Sequence, residues 1–444
     1  MIDLLRDLLR FGSQVVLVYF TLLNTGYLLL VLLGSTGLVR AARAAGLAET
    51  SPLHQPVSIL LPVRNEPAKV VESVRTMLAL HYPRFEVVVI DDGSTDATFE
   101  RLRREYDLVE VPRVVPNEVP VLGAVGSVHV PRLRREPLLV VRKDRGGQAD
   151  AFNAGLNLAQ HPLVCLADTS CVPDPRALLW AAKPFADDPL RAAAGGGMIR
   201  VVPKAGRWLP AIQVVEQVRA FLFARAGWSR VGGLAVTSGA FGVFRRDAVI
   251  SAGGLVCESE NPELVVRLHH KLRDDETPHR VTFVGEPVAW REAPTRWRTL
   301  RKQLNRRHRG LAETLALHRK MLCDPHYRQV GLLTLPFFLL FELLTPIMEV
   351  AGLVLVPAGF VSGTVDLDFV VRFFLLCYGY ATVVTLLALL ADELAFHRLN
   401  GVRDITASAL AAFFENIGYR QIMALARLRG LCAAVRQKPW KRLA

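Results

Sequence analysis

The run Val87-Val88-Val89-Ile90 ends in two carboxylates and a turn, Asp91-Asp92-Gly93-Ser94. β-Branched residues in series mark a buried parallel strand. Carboxylates at its carboxyl end cannot be core filling, because burying an unpaired charge is too costly. Ligands of open α/β sheets bind at that edge. The pair therefore suits the hydroxyl and amide donors of a nucleoside, or a metal ion. Glu66 follows a second strand-like run, Val57-Ser58-Ile59-Leu60-Leu61-Pro62. Asp168 follows another, at 163–167, with Ser170 two residues on. Gly146-Gly147 stands at the N-terminus of a helix read over 147–158, where backbone amides can approach a diphosphate. The plainer alternatives are a turn or cap role for Asp92 and an ordinary helix start at Gly147.

The elements that must position these residues follow from periodicity. Residues 67–79 read as a helix with Val70, Val71, Val74 and Leu78 on one face. Strand 85–90, helix 97–106, strand 138–142, helix 147–158 and strand 163–167 follow, with a Pro- and Val-rich irregular stretch at 111–137. Strands alternating with helices argue a doubly wound α/β domain.

The rest of the 444-residue chain is unusually apolar, with 51% hydrophobic residues and a mean hydropathy of +0.27. Apolar stretches at 15–39, 330–361 and 369–390 each exceed the roughly 20 residues that cross a bilayer. The first lacks a small-residue cleavage site before Arg40 and reads as a retained anchor, not a leader. The net charge of +13 is spread along the chain, which argues against nucleic acid. Basic residues gather beside the apolar stretches, at Arg40 and Arg43, at 296–309 and at 427–441, and suit anionic membrane lipids. The loop 362–368 has two Asp and no Lys or Arg. The positive-inside bias makes that loop external and the middle domain cytoplasmic, against the local vote of Arg6 and Arg10. The expectation is a multi-pass protein of the inner (plasma) membrane. It comprises an anchor at 1–43, a soluble domain at 44–325 ending in amphipathic interface helices, membrane helices at 326–396, and an amphipathic basic tail at 397–444. Six cysteines without a CxxC pair are neither a disulfide framework nor a zinc site. Glu342 and Glu349 lie within the second stretch and flank Pro346. They read as lining a polar path or as a helix–helix contact.

Five segments in order resemble membrane-embedded family 2 glycosyltransferases, the GT-A-fold enzymes that include cellulose, hyaluronan and poly-N-acetylglucosamine synthases. They are Pro62-Val63-Arg64-Asn65-Glu66, Asp91-Asp92-Gly93-Ser94, the stretch 146–155, Asp168-Thr169-Ser170 and Gln303-Leu304-Asn305-Arg306-Arg307. The resemblance implies an α/β GT-A domain with transmembrane helices. It also implies an inverting hexosyl transfer from a nucleotide-sugar, UDP-linked by expectation, to a growing polysaccharide or glycolipid. Pro62, Glu66, Asp91, Asp92, Gly147, Gln148 and Asp168 would then bind the donor. Asp168 and Ser170 would hold Mg²⁺ or Mn²⁺. Gln303, Arg306 and Arg307 would meet a glycan or lipid-linked acceptor. With three clear spans, a homo-oligomer or export partner would complete a channel.

Three positions depart from the family pattern. Ser170 stands where the second carboxylate of Asp-x-Asp belongs, unless the register shifts and Leu166 replaces the first. Asn261 stands at the general base, and an amide cannot take a proton at neutral pH. Glu260 and Glu263 are the neighbouring carboxylates able to replace it. Arg307 replaces a tryptophan that stacks on the acceptor sugar, and an arginine there favours a charged acceptor or a lipid phosphate. These departures keep a second reading open, a non-catalytic relative that binds nucleotide or glycan as a scaffold or sensor in envelope assembly. A transporter with an attached soluble domain is a poor reading, because the spans are too few and show no repeat.

Overall fold

A computed structural model describes residues 2–44, 54–133, 136–202, 208–237, 241–256, 262–396 and 402–437. Its centre is a ten-stranded mixed sheet. In chain order the strands are β1 (Val57–Val63), β2 (Phe85–Asp92), β3 (Leu108–Glu110), β4 (Val125–Pro131), β5 (Leu138–Lys143), β6 (Leu163–Ala167), β7 (Cys171–Pro173), β8 (Ala192–Val202), β9 (Phe241–Arg245) and β10 (Arg280–Glu292). Their order across the sheet is β3-β4-β5-β2-β1-β6-β9-β8-β10-β7. The β5-β2-β1-β6 centre is parallel, so Glu66, Asp92, Lys143 and Asp168 all fall at one edge.

Alternation along these strands sorts side chains onto two faces. Ile59, Leu61, Val87, Val89, Val140 and Cys165 join one core with helices α2 (Val70–Leu78) and α3 (Thr98–Glu105). Leu60, Val88, Ile90, Val141 and Leu166 join the other core with helix α4 (Gln148–Leu158). Gly155 is what lets α4 lie so close. A Cβ there would come 2.8 Å from Ile90 Cδ1.

The second core continues into the apolar helices. The N-terminal helix α1 (Ile2–Ala44) packs against the helices Ala224–Val231, Thr345–Val361 and Tyr380–Phe396. Among the described residues two helices are long and apolar enough to cross a membrane, Arg6–Leu38 and Leu367–Phe396. A third candidate is the pair Val330–Leu343 and Thr345–Val361, bent by 41° at its break. Pro346, with no N–H to give the preceding turn, sits just after this break. The bend separates Glu342 from Glu349. Glu349 is buried against Arg420 (3.0 Å) and accepts from Tyr378 (3.2 Å), a contact between helices. Within the tail expected at 397–444, the described residues form the helices Val402–Phe414 and Arg420–Gln437. The second packs on Trp297–Leu317 and Thr345–Val361.

Candidate active site

The turns after β1 and β2 are stitched into one rim. Asn65 adopts a left-handed φ of 50°, and its backbone N–H donates to Ser94 Oγ (3.1 Å) while its Oδ1 accepts from Thr95 N (3.0 Å). Glu66 N donates to Thr98 Oγ1 (2.9 Å). Pro62, half-buried, is the last residue but one of β1. Asp91 is buried, and its Oδ1 accepts from Ser94 N (3.0 Å), closing the turn. Glu66 differs from its neighbours. Its Oε2 is enclosed yet accepts from no donor among the described residues. A water-shielded carboxylate oxygen without a partner is costly, and the N–H or O–H of a nucleoside is a partner it fits.

Asp92 is fully engaged within the chain. Its Oδ1 accepts from Lys143 Nζ (3.0 Å) and Gly146 N (2.8 Å), and its Oδ2 from Gly147 N (2.9 Å). Lys143, with a wholly buried side chain, also reaches Asp150 Oδ2 (2.6 Å). Asp150 accepts from Leu122 N (2.5 Å) and Gly123 N (3.1 Å). Burial alone would raise the Asp150 carboxyl. The bonds from Lys143 and from those two amides outweigh it and hold the carboxyl below its ordinary value. Asp92, and not Asp91, therefore braces the glycine loop. Both glycines are required there: Gly147 has a φ of 99°, and a Cβ on Gly146 would strike the Asp150 carboxylate. Gln148 opens α4 immediately after this loop.

Helix α4 acts as a bolt. Asn153 accepts from Leu255 N (2.7 Å) and donates to Leu255 O (3.0 Å). Asn157 likewise accepts from and donates to Val119. With Asp150, these side chains line one helical face and tie two loops to the site.

At the end of β6, Asp168 Oδ1 accepts from Ser170 N (2.9 Å), and Oδ2 accepts from Ser170 Oγ (3.0 Å). Arg291, on β10, pairs with the same Oδ2 at 3.3 Å and donates from Nε to Cys171 Sγ (3.3 Å). Burial raises the Cys171 thiol, outweighing the Arg291 charge, and keeps it protonated. No group of three His, Cys, Asp or Glu side chains converges among the described residues. A single carboxylate already neutralised by a guanidinium is a poor donor set for Mg²⁺ or Mn²⁺, which prefer several anionic oxygens.

Glu260 and Asn261 lie outside the described residues. Glu263 begins the helix Glu263–Asp274 with only 2% exposure. Its carboxylate pairs with Arg267 Nε (3.0 Å) and meets His318 Nε2 at 3.5 Å. Arg267 in turn donates to Ala252 O and Gly254 O, so Glu263 anchors the neighbouring turn.

Gln303, Arg306 and Arg307 lie exposed on the helix Trp297–Leu317. Gln303 and Arg307 line a cavity of about 340 Å³, and Arg306 is not part of its wall. The cavity reaches from Arg291 and Pro262 to Phe337, Phe338 and Glu342 on the apolar helices. Arg307 and Arg225 both lie over the Phe221 ring, 4.2 and 4.8 Å from its centre.

Sequence reasoning missed Lys143, Arg291 and Phe221. Lys143 carried a signal, since it ends the strand whose register sets it beside Asp92. Arg291 and Phe221 carried none, because only the closed sheet and the cavity bring them in.

The model of the glycosyltransferase-like family 2 matches residues 54–310. The chain is 22% identical over 278 residues to the probable glycosyltransferase YdaM of Bacillus subtilis, covering 60% of this chain and 59% of that protein. It is 24% identical over 260 residues to the poly-β-1,6-N-acetyl-D-glucosamine synthase of Staphylococcus aureus, covering 58% and 55%. The match thus spans little more than half the length of these relatives. Its fold is similar to that of a mannosyltransferase from Pyrobaculum calidifontis solved with GDP-Man and Mn²⁺. That likeness has a TM-score of 0.51 at 17% identity, over 89% of this chain and 99% of that one. The family match contains β1 to β10, the braced glycine loop and Asp168, and with it the chain belongs to the glycosyltransferase-like family 2.

Proposed function

We propose that this protein is a membrane-bound inverting glycosyltransferase. It takes a sugar from a nucleotide-sugar, with UDP-sugars the first class to test. It passes the sugar to a polysaccharide or glycolipid acceptor at the cytoplasmic face of the inner membrane. The observation that carries this reading is the cavity itself. It is lined both by Arg291, which pairs with Asp168 at the sheet edge, and by Phe337, Phe338 and Glu342 of the bent apolar pair. A donor held at the strand ends and an acceptor rising from the membrane would meet there.

The donor's nucleoside would occupy the rim of Pro62, Asp91 and Glu66, giving Glu66 Oε2 its missing donor. Its diphosphate would lie toward Gly147, Gln148 and Asp168. In transfer, an acceptor oxygen attacks the anomeric carbon as the bond to the diphosphate breaks, and a base takes the hydroxyl proton. Glu263 is clamped by Arg267, so Glu260 is the carboxylate left for that role. Gln303 and Arg307 line the acceptor side. The Arg307–Phe221–Arg225 stack suits an anionic acceptor, such as a lipid-linked phosphate. The organisation we propose is an anchor at 1–43, a catalytic domain at 44–325, membrane helices at 326–396 and a basic cytoplasmic tail, with a homo-oligomer or export partner completing any channel.

One observation favours the second reading, a nucleotide- or glycan-binding scaffold without turnover: Glu263, one of the two carboxylates expected to replace the base, is committed to Arg267 and His318. Release of nucleoside diphosphate from a panel of UDP- and GDP-sugars, by the full chain in lipid nanodiscs, separates the two.

A further inference from the structure

A donor diphosphate at the sheet edge by Asp168 needs cationic donors for its oxygens, and which group supplies them matters only under this donor reading. The family resemblance implies a divalent cation, and the donor set disagrees. Two carboxylates would cancel a dication. Here Asp168 faces Arg291 at 3.3 Å, so the side-chain pair is already neutral. Both Asp168 oxygens accept from Ser170 as well, and the Cys171 thiol is buried and receives Arg291 Nε. A dication would gain one shared carboxylate and meet a guanidinium beside it.

Arg291 is built to take the other part. It sits near the end of β10, where pairing sets it opposite Cys171 of β7, so a strand and not a loop fixes its origin. About a quarter of its side chain remains exposed (24%), and it lines the cavity. A guanidinium presents five N–H groups in a planar fork that matches phosphate oxygens. One such group can bond Asp168, Cys171 and a phosphate together. We infer that Arg291, oriented by Asp168 and Cys171, binds the donor diphosphate in place of a divalent cation, so that nucleotide binding needs no metal. In transfer it would stabilise the charge gathering on the leaving diphosphate without giving up a proton.

The test uses the full chain in nanodiscs with UDP and GDP as probes, titrated calorimetrically in EDTA and again in excess Mn²⁺ or Mg²⁺. The affinity of whichever nucleotide binds is expected to agree within about threefold between the two conditions. Arg291→Ala should weaken binding in EDTA by about tenfold or more, the scale of one charged hydrogen-bonded contact. In that variant Mn²⁺ should restore part of the loss, because Asp168 is released. Arg291→Lys keeps the charge but loses the fork, and should fall between. It also replaces the alanine variant if that one fails to fold. Wild-type binding that vanishes in EDTA, or tightens more than about tenfold with metal, would overturn the inference. So would unchanged binding in folded Arg291→Ala or Arg291→Lys. Absence of binding by either nucleotide under every condition would instead remove the donor reading, and the inference with it.

Discussion

Lys143 Nζ lies 3.0 Å from Asp92 Oδ1 with its side chain wholly enclosed, and the same ammonium lies 2.6 Å from Asp150. One buried cation thus serves two buried carboxylates, and four backbone amides share the remaining charge. This arrangement fixes the Gly146-Gly147 turn and the 119–123 loop at once. Lys143→Met would leave both carboxylates without a counter-ion. The expected cost is about 3–5 kcal/mol, read as a lower melting temperature in detergent, together with loss of nucleotide binding. A melting temperature equal to wild type would show that the pair does not hold the loop.

Glu66 makes the opposite case. Its Oε2 has no partner among the described residues, so its charge contributes little to folding. Glu66→Gln should leave the melting temperature unchanged and weaken UDP or GDP binding by about tenfold, since a charged acceptor becomes a neutral one. Calorimetric titration checks both parts. Undiminished binding would take Glu66 out of the nucleoside contact.

Arg307 stands over Phe221 on the cavity wall, away from the strand ends. Arg307→Ala is expected to lower kcat/KM for the acceptor by about tenfold while leaving the donor KM unchanged. Steady-state kinetics with each substrate varied in turn measures the split. A change confined to the donor KM would place Arg307 elsewhere.

Two buried histidines set an acid limit. Burial, aided by the charge of Arg427, pushes His308 down to about 4. Burial and the facing His279 push His269 down to about 3. Each titrates near 6.5 when unfolded, so below that value the unfolded chain binds protons that the folded chain refuses. Stability is therefore complete above about pH 6.5 and falls by about 1.4 kcal/mol per histidine per pH unit as pH drops toward 4. Thermal unfolding between pH 7 and 5 should show this slope, and His308→Asn should reduce it. A melting temperature flat across that range would contradict the burial of these rings.

The strands were legible because a buried parallel strand is written as a local run. β6 begins and ends where its residues say, and β1, β2 and β5 extend only one or two residues beyond expectation. What local pattern could not show is how the carboxylates are used. Asp91 and Asp92 read as one ligand-binding pair, yet Asp92 is absorbed by Lys143, which lies 51 residues away in sequence. Asp168 and Ser170 read as a thinned metal site, and nothing nearby announced Arg291, brought in from 123 residues downstream. Periodicity carries the elements, whereas the charge balance at the strand ends depends on which elements the sheet order makes neighbours. The break at residue 344 had only Pro346 and the flanking Glu342 and Glu349 to mark it in an otherwise apolar stretch.

The proposed sugar transfer takes place where the sheet edge meets the apolar helices. The full chain in nanodiscs, given a panel of UDP- and GDP-sugars with native membrane lipids and glycan as acceptors, should release nucleoside diphosphate above background for at least one donor. That release should be abolished by Asp168→Ala. Nucleotide binding without release from any donor would contradict catalysis and leave the protein as a binding relative within its family.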